Sequence, residues 1–419
     1  MQKNITLEEF ENNTNNITSK NILDDITNKT LLDFNYDFNI EIDGGKRYNQ
    51  ENSGMCWICA GFNMIENDFC SNLNINIKDF SFSITFLAFF DYLEKSNAVY
   101  QIIIDGNFKS VSEIYKDLVI KNCMKAYGNF SQFRYLINKY GLVPKEIMPN
   151  AILNLSPGDF RWLYNNKVLN DCLILFNHKQ ENNINSLYLL KKKMLLEDYD
   201  ILCKAFGTPP TNFKYEYINL KTEHKTLVLT PLEFKNTFLR LNLNDYILLD
   251  SLCKYNRKKH EKYCFNDLKN IYTGINVDFI TVTKKEIKKL IIKQLKEGVP
   301  VYCSSDTRRM RDFSKNIIDL NIYDLEKLGI KLLSNDLVAD FNMVSYYHVI
   351  CVKGVKIENG SIIRWKIEDS YGNTNNDGYI NISDEAFDYF VFSALINKKY
   401  ISREILKKHK NDVKNDLVY

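Results

Sequence analysis

No stretch of this sequence approaches the roughly 18 uncharged apolar residues that a membrane-spanning helix requires. No membrane partner is therefore expected. The first residues, Met1 to Phe10, lack the basic start and apolar run of a secretory signal. Asn-x-Thr sequons such as Asn16-Ile17-Thr18 then carry little meaning. Charge of one sign is lacking too: 55 basic residues face 52 acidic ones, for a net charge of +3. Such a balance gives no strong pull toward nucleic acid or an anionic surface. The ten cysteines show no disulfide-like framework, and 419 residues far exceed a stapled secreted scaffold. Reduced thiols in a cytoplasmic protein are the expectation. Histidine is scarce, with five in the chain, so imidazole chemistry has few candidates. No internal repeat or long linker is visible.

What remains is an ordinary globular composition, 45% hydrophobic and 26% charged. The length exceeds what one compact core usually holds, which predicts one elaborated domain or two fused parts. Residues 1–45 are polar and Asn-rich and read as an arm. Residues 46–150 turn helical: Trp57, Ala60, Met64, Ile65 and Phe69 repeat at helix spacing after Cys56. Further helices fit Ile84 to Glu94 and Phe133 to Tyr140, the latter stopped by Gly141. Residues 151–298 read as mostly helical and Lys-rich. Their clearest element runs from Thr283 to Glu297, with a capping-box pattern at Thr283 and Glu286 and a stop at Gly298 and Pro300. From 299 to 400 the period changes to alternation, and strands are predicted at Val299 to Cys303, Tyr346 to Val352, Ile362 to Glu368 and Tyr379 to Ile382. Residues 401–419 form a basic, then polar tail. A helical part followed by a β-rich part is an α+β arrangement.

The most informative segment is Gln50-Glu51-Asn52-Ser53-Gly54-Met55-Cys56-Trp57. It sets a cysteine at the mouth of an amphipathic helix, where partial positive charge favours the reactive thiolate. Gln50 has an amide NH2 able to donate to a developing oxyanion. The plain alternative is a buried cysteine opening a core helix, but Gln, Gly and Trp together shift the balance. A nucleophile needs a base. His178, His224, His260 and His409 each sit beside lysine in polar segments, whereas His348 lies in the strand-like run Tyr346 to Val352. In Trp365-Lys366-Ile367-Glu368-Asp369-Ser370-Tyr371-Gly372, alternation places Ile363, Trp365, Ile367 and Asp369 on one face. Asp369 is then the polar end of an apolar face, where a group that orients an imidazole belongs. A carboxylate that merely opens the following turn would look the same. The Cys56–Cys59 spacing is formally that of a redox pair but lacks a strand–helix–strand setting. Cys253, His260 and Cys264 lack an ordinary fourth zinc ligand.

Together the Gln50 to Trp57 segment, the strand around His348 and the Trp365 to Gly372 run resemble the Gln, Cys, His and Asn boxes of papain-like cysteine peptidases. His348 follows Cys56 by about 290 positions, against about 130–150 in the short lysosomal-type enzymes. An insertion of that size resembles the bleomycin hydrolase and aminopeptidase C family. Phe82-Ser83 with Phe89-Phe90-Asp91, Lys139 to Lys145, Gly207-Thr208-Pro209-Pro210, Thr230 to Phe234 and Glu297 to Asp306 extend the resemblance. It runs from about residue 50 to the C-terminus. Members of the family carry Asn at the place of Asp369 and Trp at the place of Tyr371.

The resemblance implies a two-lobed catalytic core, a helical lobe with Cys56 and a β-rich lobe with His348 and Asp369, carrying a large helical insertion. It implies acyl transfer on peptide substrates, aminopeptidase action, no metal or organic cofactor, and a homo-oligomer, in this family a hexamer. It also implies that the C-terminal arm lies in the cleft, with the Tyr419 carboxylate meeting the substrate ammonium. A reading from another class is a catalytically impaired relative kept as an oligomeric scaffold or nucleic-acid-binding protein, motivated by Asp369, Tyr371 and the lysine-rich middle.

Overall fold

The computed structural model describes residues 21–28, 37–149, 151, 157–181, 184–252, 254, 257–265, 271, 277–341, 343–344, 348–371, 379–409 and 414–416. Apolar side chains at three- and four-residue intervals form α1 (Cys56–Leu73), which is buried along nearly its whole length. In α2 (Ile84–Asp105) the Ser83 hydroxyl accepts from the Phe86 N–H at 3.1 Å. That helix runs well past the expected end at Glu94. Asp91, Glu94 and Lys95 look like a surface terminus in sequence, yet all three are buried. Lys95 Nζ is satisfied by Asp91 and by the carbonyls of Lys125 and Tyr127, so tertiary partners carry the helix onward. Next come α3 (Phe130–Tyr140), closed by Gly141 at φ +87, and the long helices α4 (Pro157–Glu181) and α5 (Ile184–Phe206), which pack on α2 and on each other.

Between Phe206 and Lys284 the helical expectation fails over most of its length. Phe213–Ile218 and His224–Leu229 form a hairpin in which buried Phe213 and Tyr215 alternate with exposed Lys214 and Glu216. That is period two rather than 3.6. Three further segments of this stretch join the main sheet. Among the described residues that sheet has 12 strands. They are β1 (Ile40–Glu41), β2 (Tyr246–Asp250), β3 (Lys262–Phe265), β4 (Asp278–Thr281), β5 (Val301–Ser305) and β6 (Arg311–Asp312). The remainder are β7 (Ile317–Ile318), β8 (His348–Glu358), β9 (Ser361–Glu368), β10 (Tyr379–Ser383), β11 (Val391–Asn397) and β12 (Lys414–Asp416). The order is β12-β3-β4-β2-β11-β5-β8-β9-β10-β7-β6, with β1 pairing to β8.

The alternation of β5 and β8 divides two cores. Tyr302, Val349 and Cys351 face the helical lobe with α1. Val301, Cys303, Ile350 and Val352 face a second core closed by α6 (Lys284–Lys296) and α7 (Asp384–Phe390). The capping box of α6 is present: Thr283 Oγ1 accepts from Glu286 N–H, and the Glu286 carboxylate accepts from Thr283 N–H at 2.7 Å. On β9, Trp365 and Ile367 sit in the second core, but Ile363 is 38% exposed, because the apolar face outlasts the core it packs against.

A charged cluster is buried between the lobes. Lys353 on β8 bonds Glu66 on α1 at 2.8 Å and Glu368 on β9 at 2.9 Å. From the N-terminal arm, Ile26 is buried and Asp324 N–H donates to its carbonyl.

Candidate active site

Cys56 is the first residue of α1, and the preceding loop is built to place it there. Gly54 adopts φ +77, and a Cβ on it would come within 2.6 Å of the Ala126 Cβ. A glycine meets both demands. The Met55 carbonyl accepts from the Ile58 and Cys59 N–H groups at 3.0 and 3.1 Å, while its side chain makes no capping bond, so no cap side chain competes for the N–H groups that open the helix. The Trp57 indole donates to the Ala126 carbonyl at 3.2 Å, anchoring the turn from behind. Gln50 is buried, and its Nε2 has no hydrogen-bond partner. An amide NH2 left unpaired in a dry setting has a desolvation cost unless something arrives to accept from it.

His348 opens β8 and is fully buried, with its neighbour strand β5 paired through Ser305. Its Nε2 lies 2.5 Å from Asp369 Oδ1. The other ring nitrogen, Nδ1, has no hydrogen-bond partner, and Cys56 is the group besides Asp369 that raises the ring's pKa. Asp369 follows the last residue of β9. Its Oδ1 also accepts from the Ser370 N–H at 2.8 Å, and its Oδ2 accepts from Arg311 Nη1 at 2.8 Å. The Tyr371 ring stacks on the imidazole, with centroids 4.7 Å apart and planes inclined at 28°. It covers the His348–Asp369 bond on one side.

The electrostatics follow from these contacts. Burial pulls the His348 pKa down, but the Asp369 charge and then Cys56 outweigh it and lift the imidazole to about 10. Burial pushes Asp369 up, but His348 and then Arg311 hold its carboxyl at about 2. The site therefore holds an imidazolium and a carboxylate across the neutral pH range. Such a cation beside a thiol at a helix start stabilises the thiolate.

Four segments far apart in sequence, Gln50 to Cys56, Arg311, His348 and Asp369, thus meet at the junction of α1 with the sheet. This architecture recurs in the crystal structure of PepW from Lactobacillus rhamnosis HN001. The two superpose with a TM-score of 0.88 at 28% identity, over 99% of this chain and 98% of the other. The model of the Peptidase C1-like family matches residues 2–417. The chain belongs to that family. Aminopeptidase C of Listeria innocua is 29% identical over 379 residues, covering 90% of this chain and 85% of its own. Aminopeptidase E of Lactobacillus helveticus is 29% identical over 372 residues, covering 87% and 84%. The α+β papain-like fold expected from the sequence is borne out, and so is the resemblance to the bleomycin hydrolase and aminopeptidase C group.

Within this peptidase family member, Cys56, Gln50, His348 and Asp369 are brought together. Tyr419 lies outside the described residues, as do Tyr346 and Tyr347 of the β8 approach and Gly372. His178 and His260 are engaged elsewhere, with Ser186 and Glu286. Sequence reasoning missed Arg311. It sits in the run Arg308-Arg309-Met310-Arg311, which reads as a solvated basic turn, yet it pairs in register with buried Ile318. The one available signal was chemical: a buried Asp at the place of an amide calls for a counter-cation. Among the described residues no helix is long and apolar enough to cross a membrane.

Proposed function

We propose that this chain is a cysteine-type aminopeptidase in which Cys56 is the nucleophile and His348 its acid–base partner. The observation that carries the reading is the His348 ring, held by Asp369 through Nε2 and left with Nδ1 for the Cys56 sulfur.

The Cys56 thiolate attacks the carbonyl carbon of the first peptide bond. A C–S bond forms, and the carbonyl π electrons move to oxygen, which becomes an oxyanion. The unpartnered Gln50 Nε2–H and the Cys56 backbone N–H donate to it. On collapse the C–N bond breaks, and the His348 imidazolium gives its Nδ1 proton to the leaving amine. A thioester remains. Water then adds to it as neutral His348 takes one of its protons, and the acid departs with the thiolate restored beside imidazolium. Asp369 orients the ring throughout and stays ionised.

Restriction to the N-terminal residue is supported by the relatives, which carry the names Aminopeptidase C and Aminopeptidase E. The scaffold reading drew on Asp369 and Tyr371. In the structure these two residues orient and cover the imidazole, which favours catalysis. The described cysteines are all free thiols, which supports a reducing, cytoplasmic setting. The exposed Trp162, Leu163, Leu189 and Leu196 on α4 and α5 support assembly into a homo-oligomer, which light scattering of the purified chain tests.

The test of activity uses fluorogenic aminoacyl amides with free and acetylated N-termini. Wild type should cleave the free series and spare the blocked one, and Cys56→Ser should cleave neither. Turnover retained in Cys56→Ser would sink the nucleophile assignment. Equal cleavage of both series would sink the aminopeptidase assignment.

A further inference from the structure

In the site just described, the orienting group carries a full negative charge, whereas a neutral amide could orient the ring without one. The carboxylate is buried, with one oxygen on His348 and the other on Arg311. Arg311 is itself buried, at 1% side-chain exposure. Its guanidinium lies 4.6 Å over the Phe313 ring, and its Nε and Nη2 have no hydrogen-bond partner. Asp369 is the anion that Arg311 meets among the described residues. A buried guanidinium with a single anionic partner is costly unless its charge serves that partner.

We infer that Arg311 is a positioning residue of the peptidase reaction: by pairing with Asp369 it offsets part of the carboxylate charge and fixes the oxygen that orients His348. The inference rests on the cysteine-peptidase reading of the site. Two physical consequences support it. An uncompensated carboxylate at 2.5 Å from the ring would bind the imidazolium proton too tightly. The leaving amine would then receive it slowly, because a general acid works best with a pKa near the working pH. Secondly, the placement of the one Arg311–Asp369 contact matters. Nη1 occupies Oδ2, so the carboxylate is fixed with Oδ1 turned to Nε2.

Other charges do not take over this task. Glu368, the residue before Asp369, is engaged by Lys353 at 2.9 Å. Arg308 acts on the Tyr371 hydroxyl. From α1 the groups facing the pair are Cys56, which raises the ring's pKa, and Cys59, whose thiol burial pushes far up and so keeps neutral. Arg311 from β6 is the cation, besides the His348 imidazolium, in contact with the Asp369 carboxylate among the described residues.

The experiment is a double-mutant cycle read in pH. Arg311→Met should move the alkaline limb of kcat/KM upward by about one pH unit and lower kcat about 10-fold. Asp369→Asn alone strands a buried cation beside the ring and should move the limb downward. The double variant Arg311→Met/Asp369→Asn removes both charges. Its limb should return toward wild type, and its kcat should exceed that of either single variant. Arg311→Lys keeps the charge and should hold the limb while losing part of kcat, and it also serves if Arg311→Met fails to fold.

A second readout is independent of peptidase turnover. The ratio of Cys56 alkylation rates by anionic iodoacetate and neutral iodoacetamide falls where the imidazolium deprotonates. Its midpoint should follow the same order: highest in Arg311→Met, lowest in Asp369→Asn. A loss of thermal stability in the Arg311 variants with an unmoved limb and unmoved ratio would overturn the inference, as would a double variant no better than the worse single. If wild type cleaves no peptide while the ratio midpoints still move in this order, the functional reading falls and the Arg311–Asp369 coupling stands.

Discussion

The backbone N–H of Gln50 donates to the carbonyl of Ser370 at 2.8 Å. One residue carries the unpartnered amide proposed to meet the oxyanion, and the other directly follows the carboxylate bonded to the imidazole. A single main-chain bond thus fixes the loop of the helical lobe to the strand end of the sheet. Ser53 reinforces it, since its N–H and Oγ both donate to the Gln50 carbonyl, at 3.0 and 2.7 Å. The Gln50 backbone is held from both sides while its side-chain Nε2 is left unpaired.

Gln50→Ala should therefore leave the loop in place and remove one donor. The expected loss is about 100- to 1000-fold in kcat, the usual effect of deleting one oxyanion donor. Iodoacetamide should label Cys56 at the wild-type rate, because no oxyanion develops in that reaction. A parallel fall in both rates would mean that the side chain supports the loop and not the transition state.

Cys56 should be the first thiol modified in a neutral-pH time course followed by peptide mapping. Burial pushes the thiols of several buried alternatives up, Cys123 to about 12, and Cys59, Cys70 and Cys303 in the same direction. Among the described residues half-exposed Cys203 is the accessible competitor, and no imidazole is placed beside it there. Labelling of Cys203 ahead of Cys56 would contradict an activated thiolate.

The buried Lys353 cluster makes a stability prediction. It holds two carboxylates for one ammonium. Burial raises the Glu66 pKa, Lys353 lowers it, Glu368 raises it again, and the result is about 7 against an ordinary 4.5. A folded-state pKa above the unfolded one contributes stability fully present below pH 4.5 and lost as pH rises through 7. Glu66→Gln should flatten the decline of Tm between pH 5 and 8. Lys353→Met leaves both carboxylates uncompensated and should cost about 3–5 kcal/mol at pH 8. A wild-type Tm that is flat across that range would show that the cluster does not exchange a proton there.

Much of this site could be read from residue types alone. Cys56 stood out because a polar, Gly-containing loop ran into a helix-period pattern, and His348 because the other histidines lay among lysines. The α6 boundaries were visible because its capping box is a local device. What escaped notice depends on distant partners. Lys353 looks like a break in an apolar strand until Glu66 and Glu368 arrive from two other elements. The strands β2 to β4 lie in a segment too short and too mixed to separate from helix by period; pairing with β11 selects β2, and the ladder continues from β2 to β4 and from β4 to β3. Arg311 is invisible for the same reason, since its meaning lies in Asp369, far along the chain.

The position of β11 ties the catalytic strand to a distant part of the chain. Val391–Asn397 lies between β2 and β5, in the middle of the sheet, although it is among the last elements made. Without it, β5 has no neighbour on that side, and the face on which α1 rests is incomplete. His348 pairs with Ser305 of that same β5, at the position where β11 also docks. A chain segment ending between Asp369 and Phe390 holds Cys56, His348 and Asp369 but lacks the strand that joins the two parts of the sheet, so the platform shared by these residues depends on an element that contributes no side chain to the site.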